Sequence, residues 1–315
     1  MIRALIVTNM WPTPTRPALG SFVADQVAAL RAAVEVDLEL FAFSGGGGDP
    51  RAYLRAARAA RHRFRGRRFD VVHAHFGLSA WPALAVATTV RAVTLHGTDL
   101  IHPRSRALTL AALPWQDIVA TVSAPLADRV PPAAARGREV AILPTGVDLT
   151  RFAPGSRAEA RRALGLDPDG LYLLFPADPG RPEKRADRAR ELARSVGAEL
   201  ITLGSTPPAQ MAGHIIAADA VLVTSERESF GLAALEAIAC EVPVLSTPVG
   251  IAPTLLGDLP GTLCAPFELE RWRRALEAVP ARLRGGRTRA ERFGTGACAQ
   301  QVISAWRAAL AKRRP

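Results

Sequence analysis

A fold of the α/β class, two doubly wound domains facing one another across a cleft, is what the 315-residue sequence predicts, on three observations. Short β-branched or apolar runs alternate with longer Ala/Leu/Arg segments from end to end, the mark of parallel strands joined by crossover helices. The strands show no polar/apolar alternation, as expected where helices cover both faces of a sheet. The pattern pauses once, at LPTGVDLTRFAPGSRAE (143–159), where Pro, Gly and polar residues cluster without periodicity, so a domain linker is placed there.

In the first half, strands are expected at 3–8, 36–43, 69–74, 90–95, 117–122 and 139–143, with helices at 20–33, 50–66, 78–87 and 124–130. In the second half, strands are expected at 171–176, 198–203, 219–224, 242–246 and 261–264. Helices are expected there at 157–164, 182–196, 229–240, 266–279 and 288–312. The domains then run 1–150 and 151–290, and residues 291–315 form a last helix packing back towards the first domain.

The length suits two domains of ordinary size, and 49% hydrophobic residues can fill their cores. No apolar run reaches the ~18–20 residues of a membrane-spanning helix. The opening MIRALIVTNMWP reads as a buried first strand rather than a signal peptide. Cys240, Cys264 and Cys298 are scattered, with no metal or disulfide spacing, so a cytoplasmic location is expected.

The net charge of +11 invites an anionic partner, although an Ala/Arg-rich composition also tracks a GC-rich genome. Eight arginines fall in 51–68, and those at 51, 55, 58, 61 and 65 form one helical stripe. Such a stripe fits anionic headgroups or simple solvation. Nucleic acid is the lesser expectation, since aromatic content is 6% and no known RNA or DNA motif occurs.

In parallel sheets ligands sit beyond the carboxyl ends of strands, and the best site candidates follow strands. SERESFGLAALEAIACEVPV (225–244) sets Glu228 and Glu236 eight positions apart around a helix start. Such a start is an anion site; Ser229 can cap it, and Gly231 lets a ligand approach the backbone. A diphosphate there would have a carboxylate on either side, the layout of a nucleotide-sugar. Arg181 and Lys184, after the strand at 171–176, offer fixed cations for a leaving diphosphate.

The E-S-F-G-L-x-x-L-E-A run, followed by VPVLSTPVG, resembles the signature of family-4 retaining glycosyltransferases, which pair two Rossmann-like domains in the GT-B fold. The resemblance implies that Glu228 contacts the donor sugar and Glu236 the ribose. It puts the phosphates on the amides of Phe230, Gly231 and Leu232, clamped by Arg181 and Lys184. TLHGTDL (94–100) is similar to the family's acceptor-domain motif, which implies His96 at the reacting centre with Asp99 beside it. The Pro-rich opening loop ending at Gly20 and Ser21 would lie against the donor phosphates and the acceptor. HAHF (73–76) matches the family's His-x-His; one of His73 and His75 is expected in the sheet core and the other at a cleft edge, with His75 on the acceptor side. No third ligand lies nearby, so no metal is implied.

The implied reaction moves a sugar from a UDP- or GDP-sugar, UDP preferred, to a hydroxyl acceptor (glycan, lipid-linked or small molecule) with retention and without metal or cofactor. A nucleotide-sugar epimerase on the same architecture is the alternative. Family members that use lipid-linked acceptors dock their first domain through basic residues, which implies a peripheral place on the inner membrane face for the Arg51–Arg68 stretch. Two departures stand out: Glu241 replaces a usual Gly, and only residues 204–218 separate two strands where members commonly insert another strand and helix.

Overall fold

The computed structural model describes residues 1–204 and 206–313 and divides into two compact units. The first comprises Met1–Gly146 and Thr295–Pro315, the second Val147–Gly294. Each is built around one all-parallel sheet.

In the first unit the strands are β1 (Ile2–Thr8), β2 (Val36–Ala42), β3 (Arg68–His75), β4 (Ala87–Leu95), β5 (Ile118–Thr121) and β6 (Ala141–Ile142). Their order is β2-β1-β3-β4-β5-β6, so the winding reverses between β1 and β3. Helices α1 (Ser21–Ala32), α2 (Pro50–Arg63), α3 (Ala80–Ala83), α4 (Thr98–Ile101), α5 (Pro103–Ala112) and α6 (Ala124–Ala127) connect them. One face of the sheet (Ala4, Ile6, Val71, Val90, Ala92) packs on Val23, Val27 and Leu30 of α1. Ala299, Val302, Ile303 and Trp306 of the C-terminal helix, Thr295–Ala311, complete that core.

The second unit carries β7 (Tyr172–Phe175), β8 (Glu199–Thr202), β9 (Ala220–Val223), β10 (Val244–Ser246) and β11 (Leu263–Cys264), in the order β11-β10-β9-β7-β8. Its helices are α7 (Arg157–Ala163), α8 (Ala186–Ser195), α9 (Pro208–Ala217), α10 (Leu232–Ala239), α11 (Ala252–Leu256), α12 (Leu269–Glu277) and α13 (Gly286–Glu291). Leu173, Phe175 and Leu222 bury one sheet face against Ala189 and Leu192 of α8 and Trp272 and Leu276 of α12. The winding reverses between β7 and β9, so the loops that follow these two strands meet at one edge.

Four local expectations are corrected. The helix expected at 288–312 is two, interrupted where the Val147 amide donates to Phe293 O at 2.8 Å and pairs the chain there with the linker. Helices α4 and α5 fill 98–112, where none was expected; Pro103 is not a breaker but the first residue of α5, where its missing N–H costs nothing. The short interval after β8 holds a full helix, α9, again opened by a proline, Pro208. Glu241 does not avoid the left-handed region in place of glycine but enters it, at φ 56°.

Candidate functional site

Two groups of candidate residues form, one in each unit. In the second, the loop after β7 turns through a short 3₁₀ segment, Pro182–Lys184, and the loop after β9 leads into α10. They are tied together from below: Thr224 Oγ1 donates to the carbonyls of Lys184 and Arg185 at 3.0 and 2.9 Å, and the Glu226 amide donates to Glu183 O at 2.9 Å. On that base Lys184 Nζ meets Glu228 Oε1 at 2.6 Å, and Ser225 Oγ donates to the same oxygen at 2.7 Å. The pair is sheltered, with side-chain exposures of 13% and 17%, so its attraction is less screened than that of a surface pair.

Around this pair lies a ring of charge. Arg185 bridges Glu226 and Asp187, each at 2.6 Å. Arg181 is 54% exposed and bonds Glu183 at 2.6 Å, so the structure does not bring it to Glu228 as it does Lys184. Gly231, at φ 106°, ends the loop and precedes the first turn of α10. The Ile251 amide donates to Phe230 O at 2.7 Å, and the Phe230 ring is buried against Phe293. These contacts fix the peptide units of Phe230, Gly231 and Leu232 at the helix start. Ser229 is half-buried beside them, and half-buried Glu236 lies five residues beyond Gly231, about 7.5 Å along the axis.

Sequence reasoning overlooked Ser225 and Thr224, which position Glu228 and Lys184. The signal was present: two hydroxyl residues directly follow a strand, three and four places before the carboxylate.

In the first unit the candidates cluster where β3 and β4 end. Register pairs His75 with Thr94, and His96 lies two residues on, with its ring on the same side. His75 Nδ1 and His96 Nε2 are 3.1 Å apart. The expectation that His73 and His75 face different surroundings is corrected. Residues i and i+2 of a strand share a face, and the two rings stack with centroids 4.9 Å apart. Trp306 Nε1 donates to His73 Nδ1 at 3.1 Å, so that nitrogen is bare and His73 Nε2–H points to Thr94 Oγ1, at 2.8 Å.

His75, expected on the acceptor side, is 2% exposed and turns its ring to His96. Burial lowers its pKa to about 4. Burial, and then the neighbouring imidazoles, hold His73 and His96 well below the ordinary histidine range as well. All three are neutral at pH 7.

Asp99, also expected on the acceptor side, is fully buried and works on the backbone. Its carboxylate accepts from the amides of His96 (3.0 Å), Gly97 (2.7 Å) and Gly77 (3.0 Å). Burial pushes its pKa up, and these amides pull it back. Phe22 of α1 packs on the His96 ring at 5.1 Å. Gly20, just before α1, is buried at φ 67°; a Cβ there would sit 2.3 Å from Met10 O, so the loop admits no other residue without moving. Among the described residues no three His, Cys, Asp or Glu side chains converge as a metal site.

Two family models match this chain: Glycosyltransferase Family 4 over residues 16–151, and Glycosyl transferases group 1 over residues 180–281. A D-inositol 3-phosphate glycosyltransferase of Segniliparus rotundus is 32% identical over 303 residues, covering 77% of this chain and 67% of the relative. One from Frankia alni is 30% identical over 307 residues, covering 77% and 75%. The chain belongs to the family-4 glycosyltransferases. Against a further relative, from Actinosynnema mirum, it spans just under two thirds of the length, 64%. Among solved structures, this glycosyltransferase is similar to sucrose-phosphate synthase of Thermosynechococcus elongatus, with a TM-score of 0.75 at 18% identity over 98% of this chain and 99% of that one. HepE of Anabaena, in complex with UDP-glucose, gives 0.71 at 15% identity over 98% and 100%. At such identities the likeness is one of fold, and the fold is of GT-B type.

Proposed function

We propose that this glycosyltransferase moves a sugar from a nucleoside-diphosphate sugar to a hydroxyl acceptor with retention of configuration, and without a metal ion. The observation that carries the reading is the Lys184–Glu228 contact at the start of α10. It sets a cation and a carboxylate beside a helix N-terminus, a place suited to a pyrophosphate flanked by a sugar. When the donor binds, its diphosphate competes with Glu228 for Lys184 Nζ. The freed carboxylate then accepts from paired sugar hydroxyls.

In this reading the amides of Phe230, Gly231 and Leu232, with Ser229, hold the phosphates, Glu236 accepts from the ribose, and Gly20 gives the first unit's loop its shape against the donor. Arg181 exchanges Glu183 for the diphosphate, and with Lys184 it stabilises the charge that develops as the sugar–phosphate bond breaks. The acceptor oxygen bonds to the same face of the anomeric carbon that the phosphate leaves, and the leaving phosphate takes the acceptor's proton. His96, neutral, lines the reacting centre as a hydrogen-bonding group, and Asp99 fixes its loop.

UDP is the preferred nucleotide: HepE is solved with UDP-glucose, whereas a starch synthase of the same fold is solved with ADP. The relatives' name supplies one concrete acceptor to try, inositol 3-phosphate, whose negative charge suits a protein of net charge +11. Calorimetric titration with UDP, GDP, ADP and their glucose and N-acetylglucosamine conjugates tests the donor. No heat with any of them would sink the reading.

Docking on a membrane face belongs to the same proposal. Arg51, Arg55, Arg58, Arg61 and Arg65 are exposed on α2 and its C-terminal turn, and Leu54 among them is 62% exposed. Among the described residues no helix is long and apolar enough to cross a membrane. An exposed basic stripe with an apolar residue suits anionic headgroups. Co-sedimentation with phosphatidylglycerol vesicles should fall when Arg55, Arg58 and Arg61 are changed to Glu; unchanged retention refutes docking.

A further inference from the structure

We propose that His75 is the positioning residue for His96: through the Nδ1–Nε2 hydrogen bond it fixes the ring orientation of His96, and so which nitrogen faces the donor sugar. The inference rests on the role given to His96 in the proposed function, and adds to it a residue that touches no substrate. His75 is 2% exposed, whereas His96 is half-buried, so only the latter can meet a ligand.

The His96 ring has few other restraints. Its backbone is held by Asp99, but Asp99 grips the amide and not the imidazole. Phe22 packs on the ring at a tilt of 44°, an apolar contact that selects no nitrogen. The 3.1 Å contact with His75 is the directional one, and it requires one proton between the two nitrogens. With both rings neutral, His96 Nε2 is committed to His75, and Nδ1 is the nitrogen left for the substrate.

His75 is itself well anchored. It stacks on His73 at 4.9 Å, and His73 is pinned at both nitrogens, by Trp306 Nε1–H and by Thr94 Oγ1. A chain of four side chains thus runs from the C-terminal helix through the two histidines of β3 to His96. Each is buried or half-buried, and each bond is within ordinary hydrogen-bonding or stacking distance.

Two substitutions separate the hydrogen bond from the packing. H75F keeps a ring against His73 and His96 but has no polar atom; H75N loses the ring but places an amide near the position of Nδ1. If His75 positions His96, turnover of UDP-glucose or UDP-N-acetylglucosamine falls about 10- to 100-fold in H75F, with the donor KM within about twofold, and H75N recovers most of the loss. The melting temperature should run the other way, with H75F the nearer to the parent. Ring ¹⁵N shifts of His96 should be alike in the parent and H75N, and shifted in H75F towards those of histidine in water. On an H96A background H75F should cost nothing further, because its effect passes through the missing ring. Equal activity of H75F and the parent, activity that tracks melting temperature, or an undiminished H75F effect without His96 would each overturn the proposal. Failure of the parent to bind any nucleotide-sugar would instead strike at the proposed function, and the ¹⁵N shifts would still decide whether His75 holds His96.

Discussion

The two units stabilise their candidate residues by opposite means. In the first, His73, His75 and Asp99 are buried and His96 half-buried, and the three histidines are kept neutral. In the second, Lys184 with Glu228 and Arg185 with Glu226 meet as ion pairs at 2.6 Å. A neutral hydrogen-bonded cluster resists rearrangement, because each polar atom that loses its partner leaves an unsatisfied group behind. An ion pair of modest exposure can trade one anion for another, a carboxylate for a phosphate, at small net cost. One unit is thus suited to hold a shape, the other to exchange a ligand.

The sharpest way to break this contrast is at Trp306, which is fully buried and bonds His73. Trp306→Ala should cost about 3–5 kcal/mol, measured by denaturant unfolding. Trp306→Phe keeps most of the volume but frees His73 Nδ1, and should lower stability by much less. Equal stability of all three would show that the first unit's cluster is not rigid.

Glu228→Ala comes next. Turnover should fall about 10²- to 10³-fold, or ~2.7–4 kcal/mol, with the far-ultraviolet circular dichroism unchanged. Near-normal turnover would refute a role for Glu228 in the reaction. Glu228→Gln keeps an acceptor for Ser225 Oγ while removing the charge that holds Lys184, so it reports how much of the loss belongs to the ion pair.

Acid should separate the units in a third way. An imidazole whose folded pKa lies below 6.5 binds fewer protons in the native state than in the unfolded one, so its stabilisation is intact above 6.5 and is lost as pH falls towards the folded value, about 4 for His75. Each such histidine contributes a slope of up to about 1.4 kcal/mol per pH unit in that window. Asp99, with a raised pKa, opposes this, because its contribution is greatest at low pH and is lost as pH rises through its folded pKa. Three imidazoles against one carboxyl leave a net loss on acidification between pH 6.5 and 4, which melting curves across that range would show. His75→Phe should flatten the slope.

The smallest effect is expected at Gly231. An alanine there must adopt φ near 106°, costing about 1–2 kcal/mol, while the nearest heavy atom to its Cβ is 4.0 Å away. Nucleotide affinity should drop with modest loss of stability. A much larger destabilisation would mean that this loop is a fixed part of the fold.

All eleven strands lie within the runs that hydrophobic patterning marked out, apart from residues at the edges of β1, β3 and β4, because buried parallel strands are dense in Val, Ile and Leu. Helices were less legible where proline opened them. Pro103 and Pro208 look like breaks in a linear reading, yet each stands at the first turn, where it is tolerated. In the second unit, the approach of Lys184 to Glu228 could be anticipated from both residues following strands, whereas the pairing of Arg181 with Glu183 could not, since it depends on side-chain reach. In the first, the histidines were visible, but their mutual contact depends on the register of β3 against β4 and on a tryptophan 233 positions away.

The C-terminal helix has a further consequence for biogenesis. Ala299, Val302, Ile303 and Trp306 form part of the wall against which the first sheet is buried, yet they emerge from the ribosome after the whole of Val147–Gly294. The unit translated first is therefore the one that must wait, its apolar sheet face incomplete until Thr295–Ala311 has emerged. The unit translated second has all its residues in one stretch and can fold first.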